Sequence, residues 1–202
     1  FDALTPHFDQ FVAGDGEQAI FRALSNCDTL LIDADELKSD LFLTNQTLSE
    51  LPFPARHLVD VESYRYQIDG ARATSLIAQL GCPFGCGFCG GRMSPSFRKI
   101  RMRSVDSIVA EMRHLHDAYG FIGFMFFDDE LNVNPQMVAL MRAIEGLSCR
   151  LKVGFRLRGF VKSELFTDEQ AAAMRRAGFR WVLVGFESGS PRILQNINKR
   201  AT

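Results

Sequence analysis

Three thiols stand within eight positions of one another: Cys82, Cys86 and Cys89, in the run GCPFGCGFCGG at residues 81–91. The spacing is C-x3-C-x2-C. The other two of the five cysteines, Cys27 and Cys149, lie far away in sequence. A disulfide between two of the three would leave one thiol over and does not suit a reducing cytosol. A structural zinc ion wants a closed tetrahedron of ligands, and neither Cys27 nor Cys149 belongs to a second C-x-x-C pair. The third reading is a 4Fe–4S cluster on three thiolates. Such clusters ordinarily take four cysteines, so three leave one iron open to a further ligand. Glycines at 81, 85, 87, 90 and 91 suit that task. A loop wrapped around a cluster needs positive-φ positions and free backbone N–H groups near the sulfides. The spacing favours the cluster over zinc.

Such a loop must be held by regular elements, and the second half of the chain supplies them in alternation. Residues 74–81, TSLIAQLG, are an apolar run that ends at the cysteines. A helix is predicted from Val105, capped by Ser104 and ended by Gly120. Val105, Ile108, Val109, Met112, Leu115 and Tyr119 fall on one face of it. Residues 123–127, GFMFF, read as a buried strand running into Asp128, Asp129 and Glu130. Asn134 and Pro135 predict the cap and first turn of the next helix. Residues 151–158, LKVGFRLR, read as a third strand. Thr167 and Gln170 form a capping box for a third helix that closes at Gly178. Residues 180–187, RWVLVGFE, read as a fourth strand, and Ser190 and Pro191 open a fourth helix.

Four strand–helix units predict an α/β fold with a parallel sheet and helices outside. Chemistry in such folds sits at the C-terminal ends of the strands. On this reading those ends carry the cysteines, residues 128–130, Arg156 and Arg158, and residues 187–190. Thiols and polar groups gather where a site belongs.

The bulk properties narrow the class. A chain of 202 residues that is 47% hydrophobic can bury one sizeable core. A net charge of −1, from 23 basic and 24 acidic residues, does not mark a polyanion binder or a membrane-surface protein. Nucleic acid is therefore not an expected partner. No apolar run approaches the ~20 residues that span a bilayer, and no signal-like segment opens the chain. The few cysteines do not make a secreted disulfide framework, so the cytoplasm is the expected compartment. The basic run FRKIRMR at 97–103 reads as a solvated loop. His7, His57, His114 and His116 show no ligand spacing. The start at Phe1 and the end at NKRAT, just after a helix start, predict a piece of a longer protein.

Residues 8–24, FDQFVAGDGEQAIFRAL, read as strand, glycine turn and helix. Asp15 and Glu17 at the helix start complement its dipole but repel a phosphate, so the turn is read as a tight turn of a doubly wound domain rather than a phosphate loop. The prolines of LPFPARHLVD, residues 51–60, predict an extended linker.

The cysteine pattern with Phe88 before its last member, FFDDE after the second strand, and GFESGS at 185–190 together resemble the radical S-adenosylmethionine superfamily over residues 74–202. The resemblance implies a partial (β/α)6 TIM-like barrel, of which the chain holds the first four units. It implies that Cys82, Cys86 and Cys89 ligate a 4Fe–4S cluster. The open iron would chelate the amino and carboxylate groups of S-adenosylmethionine, which an electron then splits into methionine and a 5′-deoxyadenosyl radical. Phe88 falls where the family packs an aromatic residue near the adenine. Asp128 and Asp129 stand where the family usually has Gly-Gly-Glu against the methionine amino group. Arg156 is matched to the methionine carboxylate, Glu187 to the ribose hydroxyls, and Ser188 to a helper role. Each also has a structural reading: a turn cap for Asp128 and Asp129, an ion pair for Arg156, a helix cap for Glu187.

The N-terminal part is similar to the cobalamin-binding members, in which a Rossmann-like cobalamin domain precedes the barrel and an L-P-x-P linker joins them. The implied organisation is a C-terminal remnant of that domain at 1–26, a linker at 27–70, and a radical core at 71–202 that is incomplete at its C-terminus. Also implied are cobalamin in the full-length parent, a small-molecule substrate, and an electron donor such as flavodoxin or ferredoxin. The activity would be methylation of an unactivated carbon, or cyclisation. The family's D-x-H-x-x-G cobalamin motif does not occur in the chain. Two alternatives stay open: a methylthiotransferase acting on transfer RNA, expected to show three more upstream cysteines, and a zinc-stabilised binding module.

Overall fold

In the computed structural model, which describes residues 4–25 and 28–199, strand and helix alternate as expected. The first parallel strand of the main sheet is β4 (Ala71–Leu76), and α4 (Val105–Tyr119) leads to β7 (Gly123–Phe126). Then α5 (Met137–Leu151) leads to β8 (Arg156–Phe160), α6 (Asp168–Ala177) to β9 (Phe179–Leu183), and α7 (Pro191–Asn196) follows. A short strand, β3 (Gln67–Ile68), pairs antiparallel with β4, and the sheet order is β3-β4-β7-β8-β9. Among the described residues these are the four strand–helix units of the expected partial barrel.

The caps explain where helices begin and end. The Ser104 side chain accepts the Ser107 N–H, and Gly120 closes α4 at φ +70°. Thr167 and Gln170 make the capping box of α6, and Gly178 ends it in the left-handed region. A Cβ there would meet Phe155 O at 2.5 Å, so glycine is required. Along each strand, one set of alternate side chains packs under the helices. Leu76, Phe124, Phe126 and Leu157 join Met112, Leu115, Met141, Ile144 and Met174 in one core. Each large side chain fully buried there contributes roughly 1.5–3 kcal/mol.

Four expected boundaries move, the simplest being the end of the fourth strand, expected at residue 187 and found at Leu183. The apolar run 74–81 is not one strand. It breaks after Leu76, and β5 (Gln79–Leu80) pairs instead with β6 (Arg101–Met102), antiparallel. The helix expected from Asn134 and Pro135 begins at Met137, with Asn134 Oδ1 accepting the Gln136 N–H. That helix runs on through Leu151 and is closed by Lys152 at φ +55°. The strand expected at 151–158 is therefore β8, and Arg156 opens it, level with Gly123 at the start of β7. Arg156 lies at the end of the sheet away from the cysteines.

The stretch 27–70, expected to be linker, carries regular structure. After β1 (Phe11–Gly14) and α1 (Gly16–Leu24) comes β2 (Leu31–Ala34), parallel to β1 along its length. Ala19, Ile32, Ala34 and Leu41 form a small core between them. A further helix, α2 (Asn45–Glu50), starts with a Thr44–Thr47 capping box. At the turn into α1 the Asp15 carboxylate is paired with buried Arg101, and Glu17 is the acidic residue of the first turn.

Candidate active site

The cysteine loop is clamped from two sides. On one side lies the short helix α3 (Pro95–Arg98) with the residues after it. Cys82 N–H donates to Phe97 O at 2.8 Å, and Arg98 donates to Cys82 O and Pro83 O. Gly81, at φ +91°, sits so close that a Cβ would meet Lys99 O at 2.4 Å. On the other side, Gly87 N–H donates to Ile197 O at 2.6 Å, and Asn198 Nδ2 to Gly85 O at 2.9 Å. The basic run 97–103 is thus no solvated loop. Arg98 pins the loop, Arg101 ties it to Asp15, and Arg103 donates to Ile77 O and Glu111.

Cys82, Cys86 and Cys89 are all half-buried free thiols within this clamp. Burial, together with the carboxylates of Glu130 and Asp129, pushes the Cys82 thiol above its ordinary range, while a Phe84 backbone hydrogen bond opposes this. Among the described residues, no three Cys, His, Asp or Glu side chains converge closely enough to hold a single metal ion. One zinc ion needs its ligands drawn to one point, whereas a four-iron cluster offers each thiolate its own iron. Cys149 lies exposed on α5, and Cys27 falls outside the described residues.

The strand ends surround the loop with charge. After β7, Asp128 is buried. Its carboxylate accepts the Gln79 N–H at 2.6 Å and the Ala78 N–H at 3.2 Å. It therefore fixes the approach to the cysteines. Asp129 follows, facing the Gly81 N–H. Glu130, which the sequence reading left out of the ligand set, has its Oε2 buried without a partner. Burial pushes its carboxyl up to about 7, against the pull of Lys162 and Lys199. Gln79 donates to Glu130 O, and its own Oε1 is also buried and unpartnered. Gln79 and Glu130 thus each bring a buried, unpartnered acceptor to the segments that flank the loop, and a cationic donor group would satisfy them.

After β8 comes Lys162, missed in the sequence. It is 4% exposed, ion-paired with Glu164 at 3.0 Å, and 4.6 Å from the Phe84 ring centroid. Asn132 holds its backbone by reciprocal hydrogen bonds. After β9, Glu187 sits at φ +60°, a strained value for a side-chain-bearing residue. Its carboxylate pairs with buried Lys199 at 3.1 Å, and the Lys199 ammonium lies 5.9 Å from the Phe88 ring centroid. Phe88 itself is exposed, and Ser188 Oγ accepts the Ser190 N–H. Cys86, Arg98, Lys162 and Asn198 line one polar cavity of about 300 Å³.

Phe88, Asp128, Asp129, Glu187, Ser188 and the three cysteines thus gather at the C-terminal strand ends. Arg156 does not. It pairs with Asp69 at 3.2 Å, a carboxylate shared with Arg180. The structure gives it the ion pair of its structural reading, at the start of β8 rather than at a strand end. Lys162 and Lys199 carried no local signal; only the third acid of FFDDE pointed to Glu130.

A family model described as the Radical SAM superfamily matches residues 76–202. The chain is 32% identical over 160 residues to an uncharacterized methyltransferase of Pyrococcus horikoshii, a match covering 78% of this chain and 33% of that protein. It is 30% identical over 129 residues to the bacteriochlorophyllide d C-12(1)-methyltransferase of Chlorobaculum tepidum, covering 61% of this chain and 26% of that one. The chain therefore spans a third or less of the length of these curated relatives. The fold is similar to that of TsrM, a radical S-adenosylmethionine methyltransferase of Kitasatospora setae solved with tryptophan substrate and an S-adenosylmethionine analogue. The TM-score is 0.57 at 24% identity, over 66% of this chain and 25% of that one. TsrM has also been solved with cobalamin and a [4Fe-4S] cluster bound. The family match takes in more than half of the residues, cysteine loop and strand ends included, and the chain belongs to the Radical SAM superfamily.

Proposed function

We propose that this chain is part of a cobalamin-dependent radical S-adenosylmethionine methyltransferase acting on a small molecule. One observation carries the reading: three free thiols in a glycine-shaped loop, clamped at the strand ends, with two orphan buried acceptors on the segments that flank it. Cys82, Cys86 and Cys89 would hold a 4Fe–4S cluster. When bound, that cluster supplies the electron that splits S-adenosylmethionine into methionine and a 5′-deoxyadenosyl radical. The chain's own residues do the rest. Asp128 fixes the backbone of residues 78 and 79, and so the loop that follows. Glu130 and Gln79 offer acceptors to the methionine ammonium, a task the sequence reading gave to Asp128 and Asp129. Asp129 remains at the rim of that site. Phe88 offers an aromatic face to the adenine. Glu187, held by Lys199, offers a carboxylate to the ribose hydroxyls, with Ser188 beside it. The strained φ of Glu187 is in keeping with a functional position.

The methyltransferase names of the relatives favour methyl transfer over cyclisation, and TsrM's bound cobalamin favours a corrinoid partner. The β1–α1–β2 unit would then be what this chain holds of a cobalamin domain. A small redox protein such as flavodoxin or ferredoxin would supply the electron. Among the described residues, no helix is long and apolar enough to cross a membrane.

The test is made on the whole protein that carries this chain. Under anaerobic reduction it should release 5′-deoxyadenosine from S-adenosylmethionine, and it should bind a corrinoid in equilibrium dialysis. A cluster-loaded protein that never cleaves S-adenosylmethionine would overturn the radical reading. Cleavage without corrinoid binding would remove cobalamin alone.

A further inference from the structure

The face of the sheet turned away from the helices carries an unpaired positive charge. Ser75, Met125, Arg158 and Trp181 stand side by side across β4, β7, β8 and β9. A cavity of about 530 Å³ lies against this layer, with Arg158, Met125, Phe127, Phe160, Leu183 and Tyr66 in its wall. Phe160 at the end of β8 and Phe127 just past the end of β7 lie two residues further along the chain, toward the cysteine loop. The cavity is thus one layer beneath the candidate active site.

Every other arginine set into the sheet has a carboxylate partner. Arg72 pairs with Glu62, and Arg156 and Arg180 share Asp69. Arg56, which also touches the cavity, is paired with Glu111. Among the described residues Arg158 has no carboxylate within ion-pairing distance, and its Nε is buried with no hydrogen-bond partner. Its guanidinium carbon lies 5.7 Å from the Trp181 ring centroid, a contact that orients it without cancelling its charge. A guanidinium facing an apolar cavity is costly until an anion meets it. Its planar fork suits a carboxylate or a phosphate-type oxyanion, and the cavity is of the size that small ligands fill.

We infer that this cavity takes the substrate, and that the substrate is an aromatic or otherwise apolar small molecule bearing one oxyanionic group, which Arg158 holds. The inference rests on the proposed reading of the strand-end site as the reacting centre. Arg158 is on this account a specificity-determining residue, separate from the groups that hold S-adenosylmethionine.

The experiment measures binding rather than turnover, so it stands apart from the test of the radical reading. The cluster-loaded protein is titrated with paired probes: indole-3-acetate against indole-3-acetamide, and phenyl phosphate against dimethyl phenyl phosphate. The expected result is that at least one anion binds on the order of 10- to 100-fold more tightly than its neutral partner. The pair that shows the preference tells carboxylate from phosphate. Arg158→Gln should abolish the preference and leave S-adenosylmethionine affinity unchanged, and Arg158→Lys should keep part of it. Equal binding of anion and neutral partner by the wild type in both pairs overturns the inference, whether or not either variant folds. So does a preference that survives in Arg158→Gln. Loss of S-adenosylmethionine binding in a folded Arg158→Gln protein also overturns it, since the guanidinium would then serve the cofactor.

Discussion

Asp128 shows how one side chain shapes the approach to a loop through the backbone, by accepting the Ala78 and Gln79 N–H groups. It is buried, and desolvation pushes its carboxyl up to about 7 although two backbone N–H groups favour the charged form. Glu130 is raised to about 7 as well, chiefly by burial. The native state therefore holds these protons more tightly than the unfolded chain does. Their contribution is fully present below the ordinary carboxylate range and is lost as pH rises through about 7. The urea midpoint should fall between about pH 5 and about pH 7, and Asp128→Asn should reduce that slope. A midpoint that rises through the window, or an unchanged slope in the variant, contradicts the assignment. The acids of FFDDE were legible in the sequence as a cluster, but not their division of labour. Which carboxylate turns inward to the loop depends on where β7 stops, and no spacing rule gives that.

At the scale of elements, the cysteine loop depends on segments on both sides. Gly81 is the clearest dependence, because it combines positive φ with a 2.4 Å approach of Lys99 O to where a Cβ would stand. Gly81→Ala should cost about 1–2 kcal/mol for the left-handed backbone alone. It should also lower the iron bound on reconstitution by displacing the loop. Gly90→Ala, at a position with open space around it, serves as the control and should load iron normally. Equal iron in the two variants would show that the clamp does not shape the site. Helices with side-chain caps were readable from sequence, as Ser104 with Gly120 and Thr167 with Gly178 show. The end of α5 was not. Its cap is Lys152 in the left-handed region, a residue that carries no stop signal, so the helix hid the true start of β8 and misplaced Arg156. The regular structure within 27–70 was hidden for a related reason: β2 is four residues long and is defined by its pairing with β1.

At the scale of the whole molecule, a buried ion triad joins the segment before the sheet to the helix after the loop. Glu111 is nearly inaccessible and pairs with Arg56 at 2.9 Å and Arg103 at 2.6 Å. Those arginines also donate to Ser75 O and Ile77 O, on either side of the end of β4. Glu111→Ala would strand two guanidinium groups and should destabilise the protein by about 3–5 kcal/mol in urea unfolding. A loss below about 1 kcal/mol would mean that the triad is not a structural tie. The alternation of strand and helix made the overall class legible in the sequence, since it follows from local periodicity. The charged ring of Glu130, Lys162, Glu187 and Lys199 was not legible as a unit, because it is assembled from the ends of three successive units and the segment after α7.

The central claim is that Cys82, Cys86 and Cys89 together hold one four-iron cluster. Iron and acid-labile sulfide per chain, measured after anaerobic reconstitution, test it most directly. About four of each are expected. The Cys82→Ala, Cys86→Ala and Cys89→Ala proteins should each lose the bound iron, and Cys149→Ala should keep it. Tight binding of zinc with no sulfide, or full iron retained in Cys86→Ala, would contradict the account.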